Sequence, residues 1–112
     1  MLKGVLPLLL LQLVDEREDY GYSLVVRLHD LGFPDLAEGT VYPALSRLEA
    51  GGALGSRLVR SSAGPARKYY ALTPGGHVEL SRGLHAWLSL LSSVSRVLPT
   101  PDPTPDPLRS AP

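Results

Sequence analysis

Apolar positions recur along this chain with two different periods, and the periods divide it into helical and strand-like segments. Apolar residues fill Leu2–Val14 almost continuously, which predicts a helix buried on more than one side. In two later segments, Tyr20–Leu31 and Gly39–Ala50, the apolar residues recur with the period of a helix. Asp19 is the predicted N-cap of the second helix, and Gly32 is its predicted stop.

The period shortens after the third helix. Leu54–Arg60 and Arg67–Leu72 are short runs rich in Leu, Val and Tyr, typical of β-strands. The residues at 61–65 are Ser, Ser, Ala, Gly and Pro, which favour a turn. The two runs therefore predict a β-hairpin with a mobile tip.

A final helix is predicted to begin at Thr73-Pro74, because an N-capping threonine is followed by proline at the first helical position. Along this helix an apolar seam recurs with an average period of 3.5 residues: Leu80, Leu84, Trp87, Leu91, Val94 and Leu98. Such a seam is typical of a helix that packs along another helix. We expect a second copy of the chain to be the partner, forming a homodimer. The alternative is the first helix of the same chain, and both contacts can coexist.

The order of elements predicts a mainly α fold with a small β-hairpin. Three helices followed by two strands form a winged helix-turn-helix, here extended by a long C-terminal dimerisation helix. We expect a DNA-binding domain over residues 1–72 and the dimerisation helix over 73–98. Residues 99–112 carry proline at six of fourteen positions, which predicts a disordered tail.

Composition limits the location of the chain. It has 112 residues and no cysteine, which excludes disulfides and suits a reducing cytoplasm. The apolar run Val5–Val14 follows Lys3, as in an export signal, but it leads into the acidic residues 15–19 with no cleavage site of small residues. It is also too short to span a bilayer, so a buried helix and no membrane contact are expected. The acidic residues are expected to form a solvated loop.

The formal net charge is zero, but the charge is unevenly distributed. Residues 1–38 carry three basic and seven acidic side chains. Residues 39–72 carry five basic side chains against Glu49 alone, and residues 73–112 are balanced. The local field of the basic segment favours a polyanion there, so double-stranded DNA remains a candidate partner despite the neutral total.

In a helix-turn-helix the second helix of the pair presents its outward side chains to the major groove. With Val41, Leu45 and Leu48 turned inward, the outward side chains of Gly39–Ala50 are suited to DNA, together with Tyr42 as a phosphate contact and the cations of the hairpin. The candidate DNA-binding residues are Thr40, Tyr42, Pro43, Ser46, Arg47, Arg57, Arg60, Arg67 and Lys68. Arg67 and Lys68 are expected on opposite faces of the hairpin, since neighbours in a strand alternate.

The sequence provides little support for an enzyme. The three histidines, His29, His77 and His85, lack metal-binding spacing. No nucleophile motif or phosphate-binding loop after a strand is present, so neither catalysis nor a cofactor is expected.

Three motifs in order resemble the PadR-type transcriptional regulators, over about residues 2–98. They are Tyr20-Gly21-Tyr22, the reading-helix segment from Gly39 to Glu49, and the hairpin end from Arg67 to Gly76. The resemblance implies a homodimeric repressor that binds a pseudo-palindromic operator and pairs through its last and first helices. It also implies that a flat aromatic effector can bind at the dimer interface beside Trp87, although that residue can equally fill the seam. The alternative function is a winged-helix protein-interaction module that does not bind DNA.

Overall fold

The computed structural model describes residues 2–101 of the chain. The helices are α1 (Leu2–Glu16), α2 (Gly21–Asp30), α3 (Glu38–Ala50) and α4 (Pro74–Val97). The strands are β1 (Asp19–Tyr20), β2 (Leu54–Ser61) and β3 (Gly64–Leu72). The predicted class, mainly helical with a small β-wing, is confirmed.

Helix ends follow the local chemistry. α2 and α3 are each followed by a glycine with positive φ, Gly32 at 106° and Gly52 at 85°. The amides of Phe33 and Ala53 close each end by bonding the carbonyls of Leu28 and Leu48, five residues earlier. α4 begins as predicted, because the Thr73 hydroxyl accepts the amide of Gly76 at 3.0 Å and Pro74 occupies the first turn.

The core lies between α1, α2, α3 and the base of the sheet. α1 is buried on several sides, through Leu6, Leu10, Leu11, Leu13 and Val14. From the other elements the core takes mainly Leu24, Leu28, Val41, Leu45, Leu54 and Tyr70. Each large aliphatic side chain buried in this way contributes about 1.5–3 kcal/mol to folding, so the helices hold the wing on a rigid base.

The wing is a three-stranded antiparallel sheet in the order β1-β3-β2 rather than the expected two-stranded hairpin. The pattern did not predict β1, because two residues are too few to show a period. β2 pairs with β3 from Leu54↔Leu72 to Ser61↔Gly64, with an irregularity between Val59 and Ser61. The strands extend beyond the predicted bounds, so the turn contains only residues 62 and 63.

Two expectations for the acidic segment were wrong. α1 continues through Glu16, so the segment begins inside a helix rather than in a solvated loop. Asp19 does not cap α2. It is 5% exposed and pairs with Tyr70 in the sheet. Its carboxylate accepts Arg27 Nη1 at 3.0 Å and the Ser23 hydroxyl at 2.7 Å. Its bonds explain the difference, because the carboxylate is occupied by the Arg27 guanidinium and by the amide of Tyr20, which itself stands at the N-cap position of α2.

α4 packs against α1 only near its beginning. Leu80 is 6% exposed and belongs to the core of the single chain, so this seam position is not at the surface. Gly83 contacts α1 closely, since a Cβ there would lie 2.7 Å from Leu8 Cδ1. Beyond Gly83 the helix is exposed. Among residues 2–101 no helix is long and apolar enough to cross a membrane. The Pro-rich tail from residue 102 lies outside the described residues.

Candidate nucleic-acid interface

α3 has one buried and one exposed face. Val41, Ala44 and Leu45 point into the core. The exposed face carries four of the predicted residues, with Thr40 half-buried beside them: Tyr42, Pro43, Ser46 and Arg47. Hydroxyl and guanidinium groups can therefore meet base edges or phosphates along this face.

Tyr42 is held by contact with the start of α2. A Cβ at Gly21 would lie 2.2 Å from Cε1 of Tyr42, so only glycine leaves room for the ring. Burial raises the pKa of the Tyr42 phenol above its ordinary value, and the charge of Glu38 raises it further. A phenol is protonated at neutral pH, so that of Tyr42 can donate a hydrogen bond to an anion.

A groove of about 350 Å³ opens beside this contact, between the start of α2, α3 and the free edge of β3. It exists because β1 pairs with β3 only at positions 69 and 70, which leaves the edge uncovered further along β3. The groove is lined by Tyr20, Gly21, Tyr22, Tyr42, Arg67, Lys68 and Tyr70. Phenol donors next to two cations form a surface suited to anionic oxygens.

Lys68 is bound to α3. Its Nζ lies 2.6 Å from Oε1 of Glu49, and the Ser56 hydroxyl of β2 also donates to that carboxylate. The hydrogen bond from Lys68 lowers the pKa of the Glu49 carboxyl, and the same bond raises the pKa of the Lys68 ammonium. Glu49 therefore links both long strands of the wing to α3.

The opposite face of the sheet carries Arg57 and Arg67. Arg57 Nη2 lies 2.9 Å from Oε2 of Glu18, and both side chains are largely exposed. The Arg67 guanidinium lies over the Tyr20 ring, 4.5 Å from its centroid, and Tyr20 in turn contacts Tyr69. Lys68 faces α3 instead, so the predicted alternation of Arg67 and Lys68 is confirmed.

Arg60 lies at the irregular part of β2, between Val59 and Ser61, and is exposed. Within residues 2–101, neither Arg60 nor Arg47 takes part in an ion pair with an acidic side chain. The two arginines are the candidate DNA-binding cations best placed to reach a ligand without first breaking an internal contact.

Five of the six predicted seam residues of α4 are exposed. Four of them, Leu84, Trp87, Leu91 and Val94, lie on α4 beyond Gly83, whereas Leu98 follows the end of the helix in an extended conformation. Trp87 is 41% exposed. These residues form an apolar face. The face lies on a different element from the basic groove and is distant from it in sequence.

Four residues that line the groove are not among the predicted DNA contacts: Tyr20, Gly21, Tyr22 and Tyr70. Glu18 and Glu49 do not line it but pair with Arg57 and Lys68, and in the sequence they stand out only as acidic charges. No periodicity marks them, because their role depends on β1 and on a contact between α2 and α3. The one available indication was the Tyr-Gly-Tyr triplet itself, with glycine at a helix start.

The comparisons with known proteins agree with this geometry. The model of the transcriptional regulator PadR-like family matches residues 10–82. No curated protein sequence matches significantly. A PadR-like transcriptional regulator from Bacillus cereus is 36% identical, with a TM-score of 0.80, over 90% of this chain and 98% of its own. A Streptococcus transcriptional regulator is also 36% identical, with a TM-score of 0.77, over 86% and 94%.

A further match is Bacillus subtilis PadR, whose structure is a complex with operator DNA. It is 26% identical to this chain, with a TM-score of 0.61. The match covers 92% of this chain and 52% of that protein.

Proposed function

Because the chain belongs to the PadR-like family of transcriptional regulators, we propose that it binds double-stranded operator DNA as a homodimer and represses transcription. The observation that carries the proposal is the exposed face of α3 beside a groove of phenols and cations. A helix and a wing around a groove suit a duplex, because the helix enters the major groove while the wing follows the backbone. The related Bacillus subtilis protein in complex with operator DNA supports this proposal.

Within the interface we assign two kinds of contact. Thr40, Pro43, Ser46 and Arg47 face the base edges, since they lie on the exposed side of α3. The remaining candidates contact the phosphates, since they lie around the groove or on the wing: Tyr42, Arg57, Arg60, Arg67 and Lys68. This division predicts that sequence preference depends on α3 and salt dependence on the wing.

The homodimer is proposed from α4. In the single chain, an apolar face of α4 is in contact with water through Leu84, Trp87, Leu91 and Val94, and Leu98 is exposed just beyond the helix. A second copy related by a two-fold axis would cover this face. The same axis would place two copies of α3 on one side of a duplex, which matches a pseudo-palindrome with half-sites about 34–36 Å apart.

Trp87 is the proposed contact for a flat aromatic effector at this interface. It is the only tryptophan and lies on the apolar face of α4. A ring near a two-fold axis can stack on a planar ligand. Intrinsic fluorescence therefore reports the site directly. The unaltered chain should be quenched by planar aromatic compounds that also change its DNA binding, and the Trp87→Leu variant should bind DNA unaffected by them. An effect on DNA binding that persists in Trp87→Leu would contradict the assignment.

A mobility-shift titration at increasing salt tests the proposed function. Binding to the DNA upstream of the protein's own gene should weaken steeply between about 50 and 200 mM salt, because phosphate contacts release counterions. Salt-independent binding would contradict the electrostatic account. No binding at low salt would favour the protein-interaction module, which keeps the winged-helix fold without contacting DNA.

A further inference from the structure

Two cations of the proposed phosphate-binding surface are already paired with carboxylates within the chain, Arg57 with Glu18 and Lys68 with Glu49. Lys68 Nζ donates to the carboxylate of Glu49 at 2.6 Å, and the Ser56 hydroxyl donates to the same group. Glu49 lies in the last turn of α3, the helix proposed to enter the major groove. An acidic side chain on that helix, at the edge of the groove, is unfavourable for a protein that approaches a polyanion.

We propose that the Glu49 carboxylate occupies the phosphate-binding position of Lys68 in the DNA-free protein and so lowers the affinity of the chain for DNA of any sequence. The inference rests on the proposed DNA-binding function. Glu49 thereby sets the strength of DNA binding, although Glu49 itself contacts no base. Phosphate contacts carry no sequence information, so the effect is independent of sequence.

Geometry favours competition at this position. Lys68 is 46% exposed, so a phosphate can reach its ammonium without moving the backbone. Lys68 lines the groove, so a DNA backbone along the groove would bring phosphate oxygens to the same ammonium that the Glu49 carboxylate bonds. Carboxylate and phosphate oxygens use the same donor hydrogens, and the two anions repel each other at contact distance.

Ser56 gives the carboxylate a second partner. When Lys68 turns to a phosphate, Glu49 keeps the hydroxyl hydrogen bond and stays on α3 beside the wing. The mutual pKa changes of Glu49 and Lys68, one lowered and one raised by the same hydrogen bond, agree with a pair that attracts in the free protein. A DNA phosphate must therefore displace Glu49 from Lys68, or share its ammonium with Glu49, before Lys68 contributes to DNA binding.

Glu79 provides the comparison that measures net charge alone. It lies on α4, is exposed, and forms no ion pair within residues 2–101. Neutralising Glu79 removes the same charge as neutralising Glu49 but releases no cation of the wing. If Glu49 acts through Lys68, E49Q should strengthen DNA binding more than E79Q does. If only the net charge matters, the two gains should be equal.

The test uses fluorescence anisotropy with the full chain and a labelled random-sequence duplex of about 30 base pairs. E49Q, which keeps the size of the side chain, should bind roughly threefold to tenfold more tightly at low salt. The slope of log affinity against log salt should steepen by up to about 0.9. The gain should vanish in the E49Q/K68Q double variant relative to K68Q.

Three results would overturn the inference: no gain in E49Q, an equal gain from E79Q, or the same gain in the K68Q background. Circular dichroism of each variant verifies that the fold is retained. Failure of the proposed function looks different, because then neither the unaltered chain nor any variant binds the duplex at low salt. A chain that binds with the expected salt dependence but shows no Glu49 effect contradicts the inference alone.

Discussion

Tyr42 of α3 lies against the backbone of Gly21 at the start of α2, where a Cβ would come within 2.2 Å of the ring carbon Cε1. Gly21→Ala therefore forces the ring of Tyr42 to move out of its place beside the groove. Because Tyr42 is 40% exposed and its ring can turn away, we expect a loss of about 1 kcal/mol in the free energy of unfolding, at the low end of what overpacking costs in a core. Urea denaturation measures it.

The Gly21→Ala/Tyr42→Ala double variant is the matched control. With the ring removed, alanine at position 21 should cost little relative to Tyr42→Ala alone, because the atom it would strike is gone. Equal losses in the two backgrounds would show that the contact does not constrain Gly21. The same variants should weaken DNA binding, since they misplace a phenol of the groove.

Asp19 and Arg27 form the best-buried ion pair of the described residues. Arg27 also donates from Nη2 to the carbonyl of Leu13 and to Glu16, so it joins α1, β1 and α2. Asp19→Ala leaves a buried guanidinium without its main partner, and we expect a loss on the order of 3–5 kcal/mol in the free energy of unfolding. Thermal or chemical denaturation measures this loss.

Glu16→Gln is the comparison for this network. Its carboxylate bonds the same guanidinium at 3.2 Å but is half exposed, so the loss should stay below about 1 kcal/mol. Similar losses from the two variants would contradict the view that burial makes Asp19 the stronger partner.

Leu84→Lys tests the proposed homodimer. Leu84 lies on the exposed apolar face of α4, where lysine is compatible with the single chain but places charges against each other across a two-fold axis. Light scattering should show monomers. Ser89→Lys, on an exposed position of α4 outside the seam, should remain dimeric. A dimer that survives Leu84→Lys would place the interface elsewhere.

Arg47→Ala and Arg60→Ala separate base contacts from phosphate contacts. Arg47→Ala should weaken operator binding by about 1–3 kcal/mol while sparing random DNA, if its guanidinium bonds a base. Arg60→Ala should weaken binding to all sequences and reduce the salt slope by about one. An Arg47→Ala variant with unchanged operator affinity would remove Arg47 from the base contacts.

Much of the fold was predictable because it depends on local chemistry. The helix stop at Gly32 and the start of α4 at Thr73 need only neighbouring residues. The wing sheet was predicted incompletely, since β1 exists only through its pairing with Tyr69 and Tyr70. A segment of two residues is too short to show a periodic pattern, so a strand that depends on such tertiary contacts cannot be recognised in the sequence.

The candidate site was predictable to a similar extent. Exposure of Pro43, Ser46 and Arg47 follows from the helical period of α3. The internal partners of Lys68 and Arg57 do not, because Glu49 and Glu18 reach them across the fold. A charge count over residues 39–72 therefore overstates the positive charge that the free wing presents.

Selection of bound fragments from the genomic DNA of the source organism tests the central claim most directly. The purified chain is incubated with sheared DNA, and the retained fragments are sequenced. The account predicts that they share a pseudo-palindrome whose half-sites lie about one helical turn apart, and that Arg47→Ala abolishes the enrichment. Retained fragments that share no sequence, or an enrichment unchanged by Arg47→Ala, would contradict sequence-specific binding through α3.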